Sequence, residues 1–279
     1  MNIENIPYNI FANTMADMKW TDIKQYAEKN AVVLLPMGVI EEHGPHLCLA
    51  TDTYTAHIYC NAVKPKLEEN GYKTVIAPPF YWGICQAAKG FIGSFNIRPE
   101  TATALLFDIL ASLKDFGFKR IFGVNAHGDI EHQIVAMNVF KEACEQLEIT
   151  ACFPHQEFML HHFGRKSNEP CFYVIKPQEV KTSQAEVWDV HGGDIETATI
   201  NKFYPHLVDT EKAKSLPDVS LGDKWEAWMF AGQLKQISPE GYLGSPANYE
   251  CVDINKNVED NAQRISEAIL RRLENYKSL

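Results

Sequence analysis

Four short apolar runs, separated by longer segments with helical periodicity, constrain the fold more than any other feature of the sequence. The runs are rich in β-branched residues and predict buried strands at Val32–Gly38, Thr74–Phe80, Arg120–Asn125 and Ile149–Phe153. The amphipathic segments predict helices at Thr53–Glu69, Pro99–Phe116, Ile130–Leu147 and Val258–Tyr276. Strands that alternate with helices indicate an α/β fold with a mostly parallel sheet covered on both faces.

The overall composition narrows the class of protein. The 279 residues carry a formal net charge of -10, which argues against non-specific binding of nucleic acid or of an anionic membrane. No apolar run reaches the roughly 18–20 residues of a membrane helix, and residues 1–16 do not resemble a secretory leader. The seven cysteines form no Cys-x-x-Cys pair. We therefore expect one domain over residues 1–279, with reduced thiols, in the cytoplasm.

Potential metal ligands are concentrated directly after the first predicted strand. Within about fifteen residues of Gly38 the chain supplies Glu41, His43 and Asp52. Glu41 and His43 are two residues apart, so an extended segment would point both side chains the same way. Carboxylate oxygens and an imidazole nitrogen suit Zn²⁺, Mn²⁺ or Fe²⁺. The alternative is a solvated polar strand end in which Asp52 caps the following helix.

A second group of candidates follows the third predicted strand. His127 and Asp129 repeat the spacing of two residues, with Gly128 between them. Together with the first three residues they would supply five ligands, enough for two metal ions and a water. Asp129 stands at a predicted helix start, however, and could equally be a helix cap.

A third candidate segment contains His191, two glycines and Glu196. A histidine beside two metal ions would be a natural proton carrier, and Glu196 could meet it. A turn histidine followed by a helix cap explains the same pattern equally well. The long, irregular segment Phe80–Ser94 and the region around Trp188 are the places where we expect the substrate pocket wall.

Taken together, these segments resemble the creatininase (creatinine amidohydrolase) family. Pro36 to Asp52 match its Pro-x-Gly-x-x-Glu-x-His-Gly-x-His-Leu pattern, with an aspartate nine residues after the first histidine. Asn125–Asp129 and His191–Thr197 resemble its two later motifs, and Gly241–Pro246 resembles its late Gly-x-x-Gly-x-Pro turn. The motifs occur in family order over roughly residues 15–275.

The resemblance implies a three-layer α/β/α sandwich, commonly assembled as a hexamer, and a role for each site residue. Glu41 and His127 would hold one divalent ion, His43 and Asp129 the other, and Asp52 would bridge them. His191 would be the catalytic histidine, and Glu196 an acid beside the ions or just behind their ligands. Zn²⁺ is the expected metal, with Mn²⁺ or Fe²⁺ as alternatives.

The function implied is hydrolysis of a C–N bond in an amide or cyclic amide of a small, creatinine-like molecule. Relatives in this family also act on formamide intermediates, peptides and cyclic keto sugars, and these substrates stay open here. A non-catalytic metal-binding protein is a further alternative, although a structural zinc site is normally closed by four ligands. A two-metal phosphoesterase would want cationic side chains, and neither ligand segment contains Lys or Arg.

Overall fold

The computed structural model describes residues 9–157, 160, 163–176, 189–221 and 234–275. Within these residues five strands form one parallel sheet, in the spatial order β2-β1-β3-β4-β5. The strands are β1 (Val32–Met37), β2 (Thr74–Ile76), β3 (Arg120–Asn125), β4 (Thr150–His155) and β5 (Phe172–Val174). The predicted α/β class with a parallel sheet is therefore confirmed. Trp188, predicted to be near the substrate, lies outside the described residues.

The helices surround this sheet. They are α1 (Trp20–Glu28), α2 (Thr51–Glu69), α3 (Pro99–Asp115), α4 (Ile130–Leu147), α5 (Asp194–Phe203), α6 (Thr210–Ser215), α7 (Leu234–Ile237) and α8 (Ile254–Asn275). Short 3₁₀ turns occupy Met15–Asp17, Pro205–Leu207 and Pro246–Cys251. Among the helices of the described ranges, none combines the length and the apolar character needed to cross a membrane.

Several predicted boundaries differ from the observed ones by one to four residues, and two of these differences have an identifiable reason. Strand β2 ends at Ile76 rather than Phe80, because Pro78 and Pro79 follow and a proline cannot donate a hydrogen bond to a neighbouring strand. Helix α2 begins at Thr51, so Asp52 lies inside its first turn and is not its cap. This difference frees the Asp52 carboxylate for another role.

Alternate residues of the central strand β1 face two separate hydrophobic layers. Val33 and Leu35 pack with apolar residues of α3 and α4, among them Leu110 and Phe140. Val32 and Leu34 pack on the other face with residues from α2 and α8, among them Ile58 and Ile269. Because both faces of the sheet are covered, its strands are apolar throughout, and the molecule has the three layers that the resemblance implied.

The strand order fixes where a ligand site can form. The chain leaves β1 toward β2 and returns to β3 on the other side of β1, so the connections diverge between β1 and β3. Parallel α/β sheets bind ligands at the carboxyl edge beside such a switch point. Residues 38–50 and 126–129 leave β1 and β3 at this edge, and they contain four of the predicted ligands.

Candidate metal centre

Three buried side chains from three separate segments meet at the carboxyl edge of the sheet. Glu41 follows β1, Asp52 lies in the first turn of α2, and His127 follows β3. His127 Nδ1 lies 3.0 Å from Glu41 Oε1 and 2.8 Å from Asp52 Oδ2. The three donors form a compact group that could hold one metal ion.

A second group shares Asp52 with the first. His43 Nε2 lies 3.1 Å from Asp52 Oδ1 and 3.9 Å from Glu196 Oε2. Glu196 belongs to the first turn of α5, and its Oε2 also accepts a hydrogen bond of 2.6 Å from the Gly192 amide. Each Asp52 oxygen thus faces a different histidine, which is the arrangement required of a bridging carboxylate.

Asp129 has the environment of the helix cap that was the alternative to its implied ligand role. Its Oδ1 accepts a hydrogen bond from the His132 amide, which makes it the N-cap of α4. Its Oδ2 accepts bonds of 2.8 and 2.9 Å from the amides of Gln86 and Ala87. Asp129 lines the cavity but lies outside the ligand groups that the described residues form. The carboxylate that lies beside His43 in addition to Asp52 is that of Glu196, and the ligand role implied for Asp129 stays a prediction.

His191 lies against the first group and is fixed by one ring nitrogen. Its Nε2 lies 2.7 Å from the carbonyl oxygen of Glu42, so this nitrogen carries the proton and donates it. Nδ1 is left facing the centre, 3.9 Å from Glu41 Oε1. The next residue, Gly192, has φ +60, and a Cβ there would lie 2.8 Å from the carbonyl oxygen of His43. Only glycine allows the chain to turn this closely behind His191.

The electrostatics of the centre favour the charged forms of Asp52, His43 and His127. Burial raises the pKa of the Asp52 carboxyl, but His43 and His127 outweigh it and hold that pKa below its usual value. Burial lowers the pKa of His43 and of His127, yet the facing carboxylates raise both pKa values well above normal. The carboxylates therefore stabilise positive charge on His43 and His127, and a metal ion at this position would replace the extra protons of these histidines as the counter-charge.

The donors also fit a metal ion by their chemistry. Asp52 Oδ2 and His127 Nδ1 are buried without a hydrogen-bonding partner, although they lie 2.8 Å apart, because their geometry is not that of a hydrogen bond. Two ligands of one ion, each about 2.1 Å from it, lie about 3 Å apart at a right angle and about 3.4 Å apart at the tetrahedral angle. The donor separations of 2.8 to 3.1 Å are close to the first value, and Glu196 lies farther from His43, at 3.9 Å.

The chain matches proteins of one known family over most of its length. The family model described as creatinine amidohydrolase matches residues 16–269. The chain belongs to the creatininase family. It is 34% identical to a mycofactocin precursor peptide peptidase of Mycolicibacterium smegmatis over 77% of this chain and 74% of the relative. It is 22% identical to the creatinine amidohydrolase of Pseudomonas putida over 74% of this chain and 78% of that enzyme.

Solved creatininases share the fold of this chain. A creatininase crystal structure superimposes with a TM-score of 0.67 at 20% identity, covering 92% of this chain and 96% of the other. A Mn form of creatininase gives a TM-score of 0.64, also at 20% identity, and covers 92% and 97%. The chain is therefore a creatininase-family hydrolase, and its buried His, Glu and Asp groups are consistent with divalent metal binding.

The sequence did not reveal the residues that support the ligands of this creatininase-family centre. The Cys85 thiol donates to Glu41 Oε2 at 2.8 Å, and His127 Nε2 lies 2.9 Å from the carbonyl oxygen of Ile84. Burial raises the pKa of the Cys85 thiol, which keeps it protonated as a donor. Ile84 and Cys85 both belong to the irregular loop after β2. No spacing rule identifies a lone cysteine or a backbone carbonyl as a partner of a ligand, so no sequence signal could have found them.

Proposed function

We propose that this protein is a dinuclear metal-dependent amidohydrolase that cleaves a C–N bond in a small amide or cyclic amide. The observation that carries the proposal is the shared carboxylate. Asp52 presents one oxygen to His43 and the other to His127, and each histidine has a further carboxylate beside it. A bridging carboxylate between two three-donor groups is typical of two-metal hydrolytic sites.

Each group would hold one ion. Glu41, His127 and Asp52 would hold the first, and His43, Glu196 and Asp52 the second. The ions would lower the pKa of a water molecule and polarise the substrate carbonyl. Three donors to each ion leave positions open for water and substrate, whereas a purely structural zinc site is closed by four ligands. This is why we favour catalysis over a structural or sensing role.

His191 would carry the proton during hydrolysis. Because its Nε2 is committed to the Glu42 carbonyl, only Nδ1 can accept a proton from the attacking water. The same nitrogen would then protonate the leaving nitrogen of the substrate as the C–N bond breaks and the new C–O bond remains. The buried carbonyl of Glu42 keeps the ring oriented through both transfers.

The cavity beside the centre suits a small substrate. Its volume is about 130 Å³, and small side chains such as Ala87, Ala88 and Ala126 line it beside the ligands. Peptides are the second candidate class, because the mycobacterial relative that is 34% identical to this chain is named a precursor peptide peptidase. A peptide could place a terminal residue in this cavity with the remainder outside.

A substrate panel tests the proposed function directly. We expect the protein loaded with Zn²⁺, Mn²⁺ or Fe²⁺ to hydrolyse at least one small amide, lactam or creatinine-like ring, and to lose this activity on treatment with a chelator. Turnover of short peptides alone would establish the second candidate. Turnover of phosphoesters alone, or of nothing in the panel under any metal, would contradict an amidohydrolase.

The identity of the second ligand set gives a sharper prediction. Changing Glu196 to Gln should reduce the bound metal from two equivalents toward one, because the amide is a much weaker ligand than the carboxylate. Changing Asp129 to Asn should keep both equivalents, because the amide oxygen can still accept from the Gln86 and Ala87 amides, and the hydrogen bond that is lost is the helix cap to His132. Metal analysis by mass spectrometry on both variants decides whether Glu196 or Asp129 is a ligand of the second ion. Loss of an ion from Asp129→Asn, with retention in Glu196→Gln, would restore the assignment made from the sequence.

Three further expectations from the sequence remain proposals. Zn²⁺ is the metal we favour from the family resemblance, and the nitrogen and oxygen donors also suit Mn²⁺ or Fe²⁺. We also propose a homo-oligomer, a hexamer by family resemblance, and a cytoplasmic location. Size-exclusion chromatography with light scattering and metal analysis of the purified protein test the first two.

A further inference from the structure

One short segment contacts most of the ligands of the first ion. Residues 84–87 lie in the irregular loop after β2, and they reach the centre through both backbone and side-chain atoms. The Ile84 carbonyl is 2.9 Å from His127 Nε2, and the Cys85 thiol donates to Glu41 Oε2 at 2.8 Å. The amides of Gln86 and Ala87 bind Asp129.

The thiol contact determines which oxygen of Glu41 faces the ion. Oε1 points toward His127 Nδ1 at 3.0 Å, whereas Oε2 accepts the hydrogen bond from Cys85. Cys85 is wholly buried, so no water competes for this hydrogen bond. A carboxylate with one oxygen held in this way would bind an ion through the other oxygen alone. Without the thiol, the carboxylate could rotate and engage through both oxygens or turn away.

We propose that Cys85 is a positioning residue that orients Glu41 for single-oxygen binding of the first metal ion. This proposal rests on the proposed metal centre and adds a residue that is not itself a ligand. Groups that hydrogen-bond to metal ligands typically affect metal affinity by about 10-fold to 100-fold. Cys85 differs from the Ile84 carbonyl in that its contribution is a side chain, so a substitution can remove it.

The test compares two variants at this position with a buried-thiol control. In Cys85→Ala the donor is lost, while in Cys85→Ser a hydroxyl keeps it. Cys60→Ala is the matched control, because Cys60 is also wholly buried but packs in the hydrophobic layer between the sheet and α2. Chelator competition measures the Zn²⁺ dissociation constant of each ion, and the visible spectrum of the Co²⁺-substituted protein reports its coordination geometry.

We expect Cys85→Ala to weaken the binding of one ion by about tenfold or more and to alter the Co²⁺ spectrum. Cys85→Ser should restore both properties, and Cys60→Ala should leave them unchanged. Thermal unfolding of the metal-free variants separates this effect from simple loss of packing, because a packing defect would lower the melting temperature without selectively weakening one ion.

The possible failures are distinguishable. If the wild-type protein binds no divalent ion, the proposed function fails and this inference fails with it. If the wild type binds two ions and Cys85→Ala binds both equally well, only the role of Cys85 is overturned. If Cys85→Ser fails to restore affinity and the wild-type Co²⁺ protein shows thiolate-to-cobalt charge-transfer absorption, Cys85 is a ligand and not a positioning residue.

Discussion

Replacing Asp52 by alanine is expected to remove both metal ions and to abolish hydrolysis. Asp52 is the one carboxylate common to the two ligand groups, and each of its oxygens faces a different histidine. Its loss leaves each ion two donors from the described centre. Because bound metal supplies several kcal/mol of transition-state stabilisation, turnover should fall by at least about 1,000-fold. Metal analysis and an assay on the best substrate of the panel measure the two effects.

The control for this change is Asp253→Ala. Asp253 is exposed and accepts a hydrogen bond from the Lys256 amide at the start of α8, far along the chain from the centre. This variant should lose some stability as a helix cap but keep both ions and full activity. Circular dichroism establishes that Asp52→Ala is folded. A folded Asp52→Ala protein that keeps two ions and normal turnover would refute the assignment of this centre.

Replacing His191 by alanine is expected to separate chemistry from metal binding. The side chain presents Nδ1 to the centre while Nε2 is held by the Glu42 carbonyl. Removal of a proton carrier typically costs about 100-fold to 10,000-fold in rate. We therefore expect kcat to fall by that amount while the protein keeps two equivalents of metal. Steady-state kinetics and metal analysis on the same preparation check both parts.

The metal content of His191→Ala decides whether His191 is a proton carrier or a metal ligand. Glu41, His43 and His191 also lie close enough together to hold an ion. Loss of one equivalent in His191→Ala would therefore make His191 a ligand, and unchanged kcat would remove it from the reaction altogether. His206→Ala, which changes an exposed histidine after α5, is the matched control and should alter neither quantity.

Much of the fold could be predicted from the sequence because periodicity reports burial directly. Strand β3 and helix α4 have the predicted bounds, since each is a long, uninterrupted pattern between clear turn residues. Strand β5 (Phe172–Val174) was not predicted, because three residues are too few to establish a period. The start of α2 was misplaced by two residues, which is the usual difficulty at helix ends.

The candidate site was less predictable because it depends on contacts between distant segments. Glu41, His43 and Asp52 are close in sequence, and the structure brings all three together. The family resemblance implied the ligand role of Asp129, and because Asp129 and Glu196 both follow a histidine closely at a helix start, spacing alone does not say which of them binds an ion. The difference lies in the loop after β2, whose amides bind the Asp129 carboxylate. Glu196 instead reaches His43 because α5 begins beside the segment that follows β1.

The loop after β2 has a consequence for engineering this enzyme. It supports His127 and Asp129 through main-chain atoms of Ile84, Gln86 and Ala87, which every non-proline residue possesses. Ala87 nevertheless lines the cavity with its side chain. A library that randomises position 87, excluding proline, can therefore reshape the substrate pocket while these main-chain hydrogen bonds to His127 and Asp129 stay in place. Selectivity and metal loading are to that extent separable properties, and new substrates can be sought without redesigning the centre.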